Sequence, residues 1–139
     1  MLPVTIEPRM QKDAWDCGLA CLEMLTGVPY PELLKHTRKY RKPQGLSNRQ
    51  MLSIARKVGA PLRYSQKVTE LSVGILDLQR PEGANPACAG DANGEWEGHF
   101  AILAKGMVYN PGAGVWWMEV ADFLAHHRWQ VVGIFTRRD

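Results

Sequence analysis

The chain has 139 residues, of which 45% are hydrophobic and 22% charged, with a formal net charge of +3 at pH 7. That size and balance describe one globular domain with enough core to fold without disulfide staples, and they exclude a largely disordered chain. No apolar run approaches the roughly 18–20 residues of a membrane span, Met1–Glu7 lacks the basic start and apolar stretch of a signal peptide, and the odd count of three cysteines has no disulfide-framework spacing, which places reduced thiols in the cytoplasm.

The first predicted element is an apolar helix over Cys17–Thr26, with Asp16 as its N-cap and Gly27 just past its end. Pro31 to His36 suits a short helix with proline in its first turn. The run Lys35-His-Thr-Arg-Lys-Tyr-Arg-Lys42 holds much of the positive charge and reads as a solvated helix end and loop. A nucleic-acid role is the competing reading, without a motif to support it. Ser47-Asn-Arg-Gln50 is a capping-box pattern, and Met51, Leu52, Ile54, Ala55 and Val58 form the apolar face of the helix it opens, ended by Gly59.

Strands are expected at Pro61–Tyr64, Val73–Leu78, His99–Leu103, Met107–Asn110, Val115–Met118 and Val131–Thr136, with a helix over Val120–His127. Lys105-Gly106 reads as the tight turn of a hairpin. Between Arg80 and Gly98 lies a glycine- and proline-punctuated loop whose length marks it as a functional lid or a mobile segment, leading straight into His99. The fold class is therefore α+β: a single domain over 1–139, its helical lobe (about 1–60) packed on an antiparallel sheet (about 61–139), with a cleft between the layers.

Chemistry concentrates in Gln11-Lys-Asp-Ala-Trp-Asp-Cys-Gly-Leu-Ala-Cys-Leu22. A helix N-terminus presents unpaired N–H groups and the positive end of the macrodipole, which stabilise a thiolate at Cys17. The competing reading of Cys17 is a buried structural cysteine, but the polar Asp16 before it and Gly18 after it point to an accessible position. Gly18 lets a substrate backbone or the opposite lobe come close. Asp16, Gly18 and Gly98 are assigned to substrate binding. Cys21, amid Leu19, Ala20, Leu22, Met24 and Leu25, reads as core. A metal site on Cys17 and Cys21 lacks the CxxC-type pairs and fourth ligand that zinc needs.

Among four histidines, only His99 opens an apolar strand after a glycine, where it can reach a cleft and serve as general base and acid. Asn110, on the next strand, can orient the imidazole, although an Asn-Pro turn also accounts for it. Gln11 can donate to an oxyanion alongside the backbone N–H of Cys17. On spacing alone, a surface glutamine fits equally well.

Together these residues resemble the C39 family of bacteriocin-processing, papain-like cysteine peptidases. The match runs Gln11-x-x-x-x-Asp16-Cys17-Gly18-x-Ala20-Cys21-Leu22, then Gly45-Leu-Ser47, His99-Phe-x-Ile-Leu, Asn110-Pro111 and Phe123…Trp129-x-x-x-Gly133, in the family's order over roughly Met10 to Phe135. The resemblance implies a papain-like fold and peptide-bond hydrolysis through an acyl-enzyme on Cys17, with no metal or cofactor. Cleavage after Gly-Gly or other small residues in a leader or protein substrate is the implied specificity. Gln11 maps to the oxyanion glutamine, His99 to the base and Asn110 to the third residue, where the family usually has Asp-Pro. Familiar members are N-terminal domains of membrane transporters with an ATPase. This chain has no membrane span and no GxxxxGK[ST] motif, so a transporter or secretion partner would be a separate protein. The same cysteine chemistry also serves an isopeptidase, a deamidase or an acyltransferase, and some C39-like domains bind peptides without cutting them.

Overall fold

The computed structural model describes residues 17–37, 46–69, 72–79, 98–109, 111, 117–127 and 129–138. Gln11, Asp16, Asn110, the 80–97 stretch and residues 38–42 of the basic run lie outside the described residues.

Three helices come first: α1 (Cys17–Thr26), α2 (Tyr30–Leu34) and α3 (Asn48–Lys57). Then follow β1 (Leu62–Ser65), β2 (Gly74–Gln79), β3 (Gly98–Ala104), β4 (Met107–Tyr109), β5 (Trp117–Glu119), α4 (Val120–His127) and β6 (Gln130–Arg137). The expected elements are present with shifted ends. The segment expected as one helix from Pro31 divides, because Lys35–Thr37 tightens into a 3-10 turn in which the Thr37 hydroxyl donates to the Leu34 carbonyl at 2.8 Å. The α1–α2 corner is closed by side chains. The Thr26 hydroxyl donates to Leu22 O at 2.6 Å, and a Glu23 carboxylate oxygen accepts from the Tyr30 N–H at 3.0 Å, satisfying one orphan donor at the start of α2.

The capping box forms as the spacing requires. Ser47 Oγ accepts from the Gln50 N–H at 3.2 Å, and Gln50 Oε1 accepts from the Ser47 N–H at 2.8 Å. Both turn residues between β3 and β4 have positive φ, 53° at Lys105 and 77° at Gly106, the backbone of a type I′ hairpin that sets Ala104 opposite Met107.

All six strands pair antiparallel in the order β1-β6-β2-β3-β4-β5. The last strand thus inserts between β1 and β2. Both faces of the sheet are covered, so alternating side chains enter two different cores. On one face Ile75, Phe100, Ile102 and Phe135 pack with Leu19, Leu22, Leu33, Met51 and Ile54 of the three helices. On the other, Leu76, Leu78, Ala101, Leu103 and Ile134 pack with Trp129 and with Val120 and Leu124 of α4. Burial on both sides explains why Gly74-Ile-Leu-Asp-Leu78 shows no hydrophobic–polar alternation.

Asp77 is the exception within that run. It is 5% exposed and faces the helices, where its Oδ2 accepts from the Tyr64 hydroxyl at 2.7 Å and from Asn48 Nδ2 at 2.9 Å. This ties β1, β2 and the first residue of α3 together. The Tyr64 ring reaches Asp77 by crossing β6 at Gly133, which is the register partner of Asp77. A Cβ at Gly133 would collide with the Tyr64 hydroxyl and stand 2.9 Å from the Ser65 carbonyl oxygen.

Candidate active site

Cys17 is the first residue of α1, and α1 packs against β3 at the end of the sheet where β3 begins. Gly18 makes the contact. Its missing side chain points at Met51 of α3 and Phe100 of β3, and a Cβ there would lie 2.7 Å from Met51 Sδ and 3.3 Å from the Phe100 ring. The start of α1 can sit this low on the sheet only because position 18 carries no side chain. Of the two approaches open to Gly18, that of the opposite layer is the one the structure contains.

The same fit buries Cys17, which is 4% exposed. The accessible position expected for it is therefore corrected: Gly18 lets α1 sink against Met51 and Phe100, and Cys17 sinks with it. Cys21, one helical turn further on, is fully buried in the core. Burial pushes its thiol well above the ordinary value, and the neighbouring Cys17 pushes it the same way. It is a protonated core residue.

His99 is half-buried at the start of β3, next to Phe100 and paired in register with Leu78 of β2. Phe100 turns toward the helices, and by alternation His99 turns toward the other face. There its imidazole stacks on the Trp129 indole, with ring centroids 5.5 Å apart and planes 15° from parallel. Through the Gly18–Phe100 contact, the structure brings the Cys17 and His99 segments to one end of the helix–sheet interface. Gly98 is the first residue of β3, opposite Gln79. Gln11, Asp16 and Asn110 are outside the described residues, whereas Pro111, next to Asn110, is buried.

Two features beside the site were not picked out as functional in the sequence. Trp129 figured only within the closing family pattern. Its signal was an aromatic residue immediately ahead of an apolar strand. The Asp77 cluster had a plainer signal, a lone acid inside an otherwise apolar strand, since a carboxylate is buried only with partners. Among the described residues, no group of three His, Cys, Asp or Glu side chains is placed to hold a metal ion, and no helix is long and apolar enough to cross a membrane.

These features define an α+β fold with a cysteine at a helix start and a histidine at a strand start. Among solved structures, it is similar to the peptidase domain of Streptococcus mutans ComA, with a TM-score of 0.57 at 15% sequence identity, covering 93% of this chain and 98% of that one. No family model matches the chain. No curated protein sequence matches it either.

Proposed function

We propose that the chain is a cysteine peptidase of the C39, papain-like kind. The observation that carries this reading is the meeting of the Cys17 and His99 segments at one end of the helix–sheet interface, through Gly18 against Phe100. The fold shared with a ComA peptidase domain supports it, as does the order of the sequence motifs from Gln11 to Gly133.

In this mechanism His99 takes the Cys17 proton, and the thiolate attacks the scissile carbonyl. Gln11 and the Cys17 N–H hold the oxyanion, and His99 returns the proton to the leaving amine. Water then hydrolyses the thioester. Asn110 accepts from the imidazole and fixes its tautomer. Asp16 and Gly98 border the bound peptide, whose residues before the cut are small, Gly-Gly in the first instance. The segments about 1–60 and 61–139 act as the two lobes of the cleft. A reduced, cytoplasmic setting suits the thiols.

The test is the pH dependence of Cys17 alkylation, located by peptide mapping, together with cleavage of Gly-Gly peptides. An activated thiol labels at pH values well below the ordinary pKa of about 8.5. The expected result is fast labelling near pH 6 that slows in His99→Ala, with cleavage lost in Cys17→Ala while the fold melts as before. The deep burial of Cys17 and the turn of His99 onto Trp129, on the sheet face away from α1, favour one competing reading, a domain that binds peptide without cutting it. Slow labelling of Cys17 that is indifferent to His99 would establish that reading instead.

A further inference from the structure

We propose that Trp129 is a positioning residue for His99, its indole face holding the plane of the imidazole and stabilising the protonated ring. The inference rests on the Cys17–His99 reading and adds a residue to it. Three observations support it. The rings are stacked, 5.5 Å between centroids and 15° between planes. Trp129 is itself only 5% exposed and is held by the apolar cluster of Leu78, Ala101 and Ile134, so its ring is a fixed surface. Leu78 is the register partner of both His99 and Val131, so the sheet itself sets the distance between the strand carrying the imidazole and the strand that Trp129 leads into.

The chain's own sequence gives this stack a task. A cation over the face of an indole is attracted by the ring quadrupole. Where the C39 pattern has an aspartate to balance the imidazolium, this chain has the neutral Asn110. The Trp129 face offers the protonated ring a stabilisation that does not depend on a second carboxylate.

Charged and titratable groups lie on the elements around β3 as well, and α4, which packs on the same face as Trp129, carries Asp122, His126 and His127. From α1 come Cys17, the partner in the reaction, and Cys21, a buried thiol. From β2 comes Asp77, which faces the helices and is held by Tyr64 and Asn48. From β4 comes Tyr109, paired with Ile102 three residues along the strand.

The experiment is a histidine NMR titration in a Cys17→Ala background, which removes the coupled thiol, with His99 assigned by its loss in His99→Gln. Trp129→Leu keeps an apolar cover over the imidazole and removes the π face, so it separates this effect from desolvation. The His99 midpoint is expected to fall by about 0.5–1 pH unit in Trp129→Leu and by less in Trp129→Phe. If the leucine variant does not fold, Trp129→Phe and Trp129→Ala, each checked by its thermal melt, take its place. A folded variant whose His99 midpoint stays put or rises overturns the proposal. The titration uses no substrate. A protein that never cleaves but shows the fall keeps this inference and loses the peptidase reading, while a working peptidase whose His99 ignores Trp129 loses only this one.

Discussion

Cys17 and Cys21 stand one turn apart on the same helix, and both are buried. Cys21 is enclosed by apolar side chains, and desolvation disfavours its charged form first, with the neighbouring Cys17 adding to the effect. Its thiol therefore stays protonated through the range in which ordinary thiols ionise. In native protein at pH 8–9, iodoacetamide is expected to leave Cys21 unmodified and to label it once urea unfolds the chain. Native labelling of Cys21 at the rate of a free thiol would contradict its place in the core. Cys21→Ser sets a hydroxyl among Leu19, Leu22 and their neighbours, and is expected to cost about 1–3 kcal/mol in urea melts. The core role of Cys21 was legible from its apolar company in the sequence. The depth of Cys17 was not, because it depends on Met51 and Phe100 closing over Gly18, and those residues come from two later elements.

At the scale of the element, the two signals with the clearest local physics were the most legible. The capping box opens α3 at Ser47, and the Lys105-Gly106 hairpin folds β3 onto β4. Ser47→Ala removes the acceptor for the Gln50 N–H and is expected to cost about 0.5–2 kcal/mol, read from denaturant melts. Its effect goes beyond α3. The next residue, Asn48, holds Asp77, and one turn further Met51 seals Gly18. A frayed α3 thus loosens the bed on which Cys17 rests, and under the proposed Cys17–His99 pairing Cys17 alkylation is expected to lose part of its dependence on His99 in the same variant. An unchanged melt would show that packing alone fixes the start of α3. The order of the strands was not legible. Placing β6 between β1 and β2 is a choice of partner across most of the chain, and no local pattern encodes it. The alternation that usually tells one sheet face from the other is missing in β2, because both faces are buried.

At the scale of the whole molecule, Asp77 accepts from Asn48 of α3 and from Tyr64 of β1 inside an otherwise apolar interface, and the Tyr64 phenol titrates. The Tyr64 phenol is pushed up to about 12 from 10, by burial first, then by its hydrogen bond to Asp77 and by the Asp77 charge. A proton held more tightly in the folded state than in the unfolded one contributes stability below the unfolded value, and that contribution drains away as pH rises toward the folded one. For Tyr64 the window runs from 10 to about 12. Cys21 has the same sign, its loss beginning above 9.0. Neither group gives stability a slope near neutrality. Denaturant midpoints are therefore expected to fall as pH is raised through this alkaline window, and the Tyr64 part of the fall should vanish in Tyr64→Phe, although that variant starts less stable because Asp77 has lost a donor. Gly133→Ala supplies an independent check. The new methyl displaces the Tyr64 hydroxyl from its crossing over β6, so the tyrosinate absorbance step belonging to Tyr64 should move back toward 10. If the step stays near 12 in that variant, Tyr64 does not reach Asp77 across Gly133, and the alkaline fall has another origin.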